Sequence, residues 1–449
     1  MKNQLEGISN SIANSITIKL MVILALILVL MIPSFMVQDL ISEREQQSSA
    51  TIDEVSSKWA NRQEIRGPVL SIPVEKSTTT KDGIQLSTRL IHILPEQLKI
   101  NGTVDPEKLH RGIYQVTVYQ TKLDLEGNFD LSALSALEEN EKPKLDRAFL
   151  SIGVSDLKGI KDEIKINWNG QSLMATSGTN VPQLIASGVS VSLPDLQEKL
   201  SESSTFKLHI NALGSESLHF VPVGKLTEVA LNSSWNHPSF GGNVLPENRD
   251  VSEAGFTADW KILELNRNYP QVFWENQFSE NLTQSAFGVE LKSSIDNYQQ
   301  SMRSAKYAAL IISLTFLIFF LVEIMTQHKI HPFQYILVGL AVCMFYVLLI
   351  SITEHLSFDL AYLISVCVTL SIIGFYSLAI FSARKYSLIL TLVMAGLYGF
   401  LYIVLQASDY ALLIGSLGLT VILALTMYFT RKVNWYAISF DSKEPVPST

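Results

Sequence analysis

The sequence predicts an α-helical membrane protein with six transmembrane helices and one large β-rich domain inserted between the first and the second. Three observations carry this. Of 449 residues only 17% are charged, and the mean hydropathy is positive. One apolar run near the N-terminus and five in the last third approach the roughly 20 residues that span a bilayer. Between them, over residues 67–304, short stretches of alternating apolar and polar residues are punctuated by Gly, Asn and Pro, the signature of strands and turns.

The first run, ITIKLMVILALILVLMIPSFMV, covers Ile16 to Val37. PSFMVQDLISERE follows with no small-x-small cleavage pattern, so residues 18–37 read as an uncleaved anchor helix with Pro33 near its far end, preceded by a short N-terminal segment, 1–17. Ile41, Ser48, Ile52, Val55 and Trp59 then recur at helical steps among Glu43, Arg44, Glu45, Asp53 and Glu54, which predicts a stalk helix over 38–66. Gly67-Pro68 should break it and open the strand VLSIPV.

From there the segments GIYQVTVYQTKLDLEGNF, FKLHINALGSESLHFVPVG, EVALNSSW, GFTADWKILEL and FGVELK alternate with a period near two. They predict an antiparallel sandwich or barrel-like domain, with LSALSALEENEKPKLDRAF as a helical or irregular insertion. A five-helix bundle follows over 305–430, with spans at Ala305 to Met325, Phe333 to Ile352, Leu360 to Phe381, Tyr386 to Leu405 and Tyr410 to Thr430, and then a tail, 431–449.

Orientation follows from Lys and Arg in the short connections, because positive loops stay cytoplasmic. Lys2, Lys19, Lys329, Arg384, Lys385, Arg431 and Lys432 mark one side, while TEHLSFD and QASD carry Glu354, Asp359 and Asp409 and no cation. Both termini are therefore expected in the cytoplasm, and the β-rich domain in the periplasm of a Gram-negative cell. Cys343 and Cys367, the two cysteines, fall inside spans, so the exported domain has none to form a disulfide. A net charge of −8 and the lack of a basic patch argue against nucleic acid.

One stretch of the exported domain invites a chemical reading: NSSWNHPSFGGNVLP sets Trp235, His237, Pro238, Phe240 and Gly241 close together. A catalytic loop would need a nucleophile or base held by a second group, and Ser234, Ser239, Glu247 and Asp250 are near His237 only in sequence. There is no Gly-x-Ser-x-Gly elbow, His-Glu-x-x-His, Walker loop or Gly-x-Gly-x-x-Gly. The favoured reading is a structural turn packed by its aromatics, ahead of a docking loop and well ahead of a catalytic one. In the helical part the candidate polar site is Glu323, read as reaching headgroup-level water and pairing with Lys329, together with Glu354 and His355 at the outer side. No catalytic residue, cofactor or metal is expected.

The stretches GPVLSIPV, SSWNHPSFGGNVLP with VSEAGFTADW, KYAALIISLTFLIFFLVE, HPFQYILVGLAVCMFYVLLISITEH and TRKVNWYAI resemble the CreD family over about Lys19 to Ile438. The family often has a Trp-Gly-Gly-like element before the Gly-Pro turn, where this chain reads KWANRQEIRGP. The resemblance implies a Gram-negative inner membrane, a gene under the CreBC two-component system, and links to envelope integrity, envelope stress and β-lactam response; it supplies no catalytic residues. The expectation is an envelope protein acting by contact, without catalysis, through its periplasmic domain, with the lipid bilayer and an unidentified periplasmic component as partners and an open oligomeric state. The alternative is a transporter or export component using the helix bundle.

Overall fold

The structure, a computed structural model, describes residues 16–80, 83–193, 196, 204–291, 297–326, 328, 330–381, 383–407 and 410–431. Lys2, Lys329, Asp409, Lys432 and the tail beyond Arg431 lie outside the described residues. The chain divides into a helical unit, Met1–Gln47 with Ile295–Thr449, and a β-sheet unit, Ser48–Ser294.

The helices are α1 (Ile16–Trp59), the short α2 (Ser279–Gln284), α3 (Asn297–Lys306), α4 (Ala308–Thr326), α5 (Pro332–Thr353), α6 (Phe358–Ile380), α7 (Arg384–Gln406) and α8 (Ala411–Thr430). Among the described residues six of them, α1 and α4 to α8, are long and apolar enough to cross a membrane. The five later spans begin and end within a few residues of the apolar runs. In hydrocarbon every backbone polar group must be bonded within the helix, so the length of the apolar run sets the length of the helix.

Two boundaries differ from expectation. The helix predicted over 38–66 ends at Trp59, and a strand begins at Gln63. Asn61 terminates the helix by bonding away from it: its N–H and side-chain amide donate to Asp156 Oδ2 at 2.9 and 2.8 Å. Gly67-Pro68 is a bulge inside the strand rather than a helix stop. The register slips between Arg66 and Val69, and Gly67 takes φ +98°, where a Cβ would stand 2.8 Å from the Ser151 carbonyl. The β-rich domain, set at 67–304, gives up its last stretch. Residues 297–304 form most of α3, which buries Ser301, Ser304 and Ala305 within the helical unit.

The β-sheet unit holds two sheets on one core. In the ten-stranded sheet the order runs Ser239–Gly242, Phe287–Glu290, Ser217–Val221, Gln63–Thr80, Phe149–Val154, Gly188–Ser192, Thr176–Ser177, with Gly83–Ile93, Val272–Trp274 and Glu141–Pro143 off this path. In the eight-stranded sheet it runs Asn248–Ser252, Gly255–Leu263, Leu226–Ser233, Gln97–Arg111, Tyr114–Phe129, Ser204–Ser215, Lys165–Trp168, Gln171–Met174. Pairing is mostly antiparallel, as predicted, but Gln63–Arg66 runs parallel to Leu218–Val221, and Leu226–Ser233 parallel to Gln97–Val104. Such pairs join strands far apart in sequence, which local turn signals do not report. The segment 132–147, read as an insertion, is two 3-10 turns and the short strand Glu141–Pro143.

Period two sorts the side chains. In Ser204–Ser215 and Gly255–Leu263 alternate residues are buried and exposed, whereas all six residues of Phe149–Val154 are buried because both faces of that strand are covered. The sheets meet through aromatic contacts: Phe240 stands edge-on to Phe256 at 5.5 Å and to Trp260 at 5.8 Å, and Trp260 lies 5.7 Å from Phe287.

Candidate functional site

Trp235 is 7% exposed, and its indole N–H donates to the His237 carbonyl at 3.0 Å, which closes the turn on itself. The Lys108 ammonium stands 5.2 Å from the centre of the Trp235 ring. Phe240 enters a short strand opposite Val289 and packs into the aromatic layer between the sheets. Gly241 faces open space, and Gly242 takes φ +93°, where a Cβ would stand 2.3 Å from the Ala286 carbonyl. Pro238 is half-buried, while His237 is exposed, as are Glu247 and Asp250. The aromatics plug a turn, and the imidazole points no chemistry into a cleft.

A nucleophile-and-base pair does exist elsewhere in the unit. Ser71 Oγ and His92 Nδ1 are 2.8 Å apart, but they are 0% and 1% exposed, closed in by Phe273 at 5.2 Å. Burial pushes the His92 imidazole down to about 4, against a weaker opposing bond to the Glu275 backbone. The pair is a neutral hydrogen bond inside the core with no path for a substrate. Arg66 is likewise spent internally, donating to the Leu184 carbonyl at 2.7 Å, Thr283 Oγ1 at 2.9 Å and Glu64 Oε1 at 3.0 Å.

The outward face of the eight-stranded sheet is organised in rows that the sequence did not display. Across five strands the register aligns Lys261, Glu228, Lys99, Glu126 and Lys207, alternating in sign. Lys207 Nζ is 2.9 Å from Glu126 Oε2, and this ammonium holds the Glu126 carboxyl below the usual carboxylate range. The next row carries Asp259, Ala230, Asn101, Asp124 and His209, with His209 Nδ1 2.9 Å from Asp124 Oδ1. Three shallow recesses of about 540, 260 and 430 Å³ lie along these rows. The charges sit on separate strands, so only the register reveals them. Exposed pairs of this kind contribute about 0–1 kcal/mol each, so the rows are a surface pattern more than a source of stability.

In the helical unit the structure corrects the reading of Glu323. The expectation was a carboxylate at headgroup-level water paired with Lys329. Glu323, in the last turn of α4, is 0% exposed, and it pairs with Lys19 of α1. Its Oε1 accepts from the Lys19 ammonium and from the Ile330 N–H at 2.9 Å, and its Oε2 accepts from the Tyr335 hydroxyl of α5 at 2.9 Å. Lys19 also donates to the Ile330 carbonyl at 3.2 Å. Phe316 and Phe319 stand edge-on to the Tyr335 ring at 5.3 and 6.2 Å. A buried carboxylate is tolerable only when its lone pairs are bonded and its charge is met, and this cluster supplies both from two other helices. It can act as a staple joining α1, α4 and α5, or as a polar station on a substrate path.

Lys19 and Tyr335 were the missed partners. The signal for Lys19 was its place inside the apolar run ITIKLMV, where it served only to mark orientation. Glu354 and His355 do not join the cluster. Along α5 the distance from Tyr335 to Glu354 is about 28 Å at 1.5 Å per residue. Glu354 Oε1 lies 3.7 Å from Arg44 Nε, and His355 is exposed. No group of three or more His, Cys, Asp or Glu that could hold a metal occurs among the described residues.

Comparison with known proteins agrees with this architecture. A model of the family described as "Inner membrane protein CreD" matches residues 15–436. The Inner membrane protein CreD of Escherichia coli (strain K12) is 34% identical over 420 residues, which cover 91% of this chain and 91% of that protein. Both matches run through the anchor helix, the β-sheet unit and the bundle, and on that extent the chain belongs to the CreD family of inner membrane proteins.

Proposed function

We propose that the chain is a non-catalytic envelope protein that supports cell-envelope integrity and the response to envelope stress and β-lactams, acting by contact through a β-sheet unit displayed in the periplasm, with both termini in the cytoplasm. The observation that carries this reading is the outward face of the eight-stranded sheet. Its aligned row of Lys261, Glu228, Lys99, Glu126 and Lys207 is charge-alternating and open, which suits broad contact with a polar envelope component better than enclosure of a small substrate. Anchoring holds this face at high local concentration beside the membrane, so individually weak contacts suffice.

The test reverses the face. Lys99→Glu with Lys207→Glu turns the alternating row acidic while altering only exposed positions. At wild-type levels of folded chain, cells carrying this variant should be as sensitive to detergents and β-lactams as cells lacking the gene; full complementation would remove the face from the account. Orientation is checked separately in a background without Cys343 and Cys367. Ser172→Cys should react with an impermeant thiol reagent once the outer membrane is opened, and Lys385→Cys should not.

A second reading, transport through the bundle, is favoured by the buried Glu323 carboxylate with its partners Lys19 and Tyr335. Ionisable groups at membrane depth often mark a substrate or proton path.

A further inference from the structure

The helical unit carries a groove that the contact reading does not use. It lies between the second half of α6 and the first two turns of α7, encloses about 500 Å³, and is lined by Leu370, Gly374, Leu378 and Leu388, with Arg384 and Lys385 at one end. Leu378 and Leu388 are 46% and 63% exposed, so the groove opens onto the surface that meets lipid in a membrane. The floor dips because Gly374 offers no side chain where α6 meets Thr391; a Cβ there would stand 3.2 Å from Thr391 Oγ1. From Arg384 to Thr391 the helix rises about 10 Å, most of the depth of one leaflet in a hydrocarbon core of about 30 Å.

The two ends of the groove differ in chemistry. No Asp or Glu lines it, so the charges of Arg384 and Lys385 meet no carboxylate within it. Lys385 Nζ stands 4.8 Å from the centre of the Tyr386 ring, an aromatic at the same level as the cations. Two positive charges at the end of an apolar trench match a molecule with an anionic head and an acyl tail. We infer that this groove is a binding site for one anionic phospholipid, its phosphate against Arg384 and Lys385 and an acyl chain along Leu370, Leu378 and Leu388. The site works from whichever leaflet faces the start of α7, so it does not rest on the orientation proposed above.

The test uses the full chain in phosphatidylcholine nanodiscs doped with phosphatidylglycerol, with native mass spectrometry counting lipids retained on the released protein. Wild type should retain one phosphatidylglycerol in preference to phosphatidylcholine. Arg384→Gln with Lys385→Gln should weaken that retention roughly 30-fold, as expected for two juxtamembrane cations. Ser371→Trp, which fills the groove and leaves the charges alone, should weaken it as well, while Lys385→Arg should preserve it. Thermal melting confirms that each variant is folded. The assignment is overturned by unchanged phosphatidylglycerol retention in the charge-neutral or groove-filled variant, by equal retention of phosphatidylcholine, by displacement with free glycerol phosphate, or by a lipid-free dimer in which a second copy covers the groove.

Discussion

Along the strand Ser204–Ser215 the outward residues include Thr205, Lys207 and His209, whereas along α8 the exposed residues include Leu412, Leu413 and Leu417 at 87%, 64% and 65%. The core of the β-sheet unit keeps its one fully buried imidazole, His92, neutral, while the helical unit buries the Glu323 carboxylate and meets it with the partly exposed Lys19 ammonium. The contrast is one of solvent. In water, burial of apolar faces drives packing and charges stay outside; in a bilayer the outside is as apolar as the inside, and specificity between helices comes from polar groups and close fit. Gly339 shows the second part: a Cβ there would stand 2.2 Å from Leu30 Cδ1, so any larger residue would have to push the Leu30 side chain aside where α1 meets α5.

The largest effect expected from this contrast is at Glu323. Glu323→Leu leaves the Lys19 ammonium, 18% exposed, without its carboxylate, and breaking one partner of a fully buried pair costs about 3–5 kcal/mol, an upper bound here because Lys19 keeps some exposure. The yield of folded chain and its melting temperature in detergent should fall sharply. Lys19→Met combined with Glu323→Leu should recover part of the loss, because no charge is orphaned, while the Ile330 N–H and the Tyr335 hydroxyl still lose their acceptor.

Next is the Trp235 turn, where the β-sheet unit depends on packing. Trp235→Ala removes a buried indole and should cost about 3 kcal/mol or more, read as loss of protease-resistant chain. His237→Gln, at an exposed position, should stay within about 0.5 kcal/mol. Loss of function in a folded His237→Gln chain would mean that the loop does chemistry or docking instead.

The pH response sharpens the comparison further. The folded His92 pKa of about 4 lies below the ordinary 6.5, so the unfolded chain binds the proton more readily. Stability from this group is therefore complete above pH 6.5 and is lost as pH falls from 6.5 toward 4, by about 3 kcal/mol in all. Pulse proteolysis of the full chain should show the decline, and His92→Asn should flatten it. An unchanged slope in that variant would place the acid sensitivity elsewhere.

A smaller effect is expected at Arg44 and Glu354. Their 3.7 Å separation and the 42% exposure of Arg44 suggest about 1 kcal/mol or less, so Glu354→Gln should change the melting temperature little.

The degree to which the sequence disclosed this structure follows from the same contrast. Spans are local: an apolar run such as Leu360 to Phe381 already states the helix Phe358–Ile380, because length and hydropathy suffice. Strand texture is local too, so the β-rich domain was visible. Register is not local. The alignment of Lys99 with Glu228 depends on parallel pairing between strands more than a hundred residues apart in sequence, and nothing along one strand announces it. The partner of Glu323 was hidden for the same reason: Lys19 lies 304 residues away, and the nearer Lys329 was the natural guess. Gly67-Pro68 was seen as punctuation, but a bulge and a helix stop use the same residues, and only the observed pairing with Phe149–Val154 separates them.

The measurement that tests the contact account most directly is complementation by the paired neutral variant, Lys19→Met with Glu323→Leu, in cells lacking the gene and at matched levels of folded chain. If the cluster serves structure alone and the β-sheet unit acts by contact, resistance to detergents and β-lactams should return to nearly the wild-type level, because the comparison is made at matched levels of folded chain and the exposed face is untouched. A folded double variant that fails to complement would contradict the account and assign the buried charges to transport through the bundle.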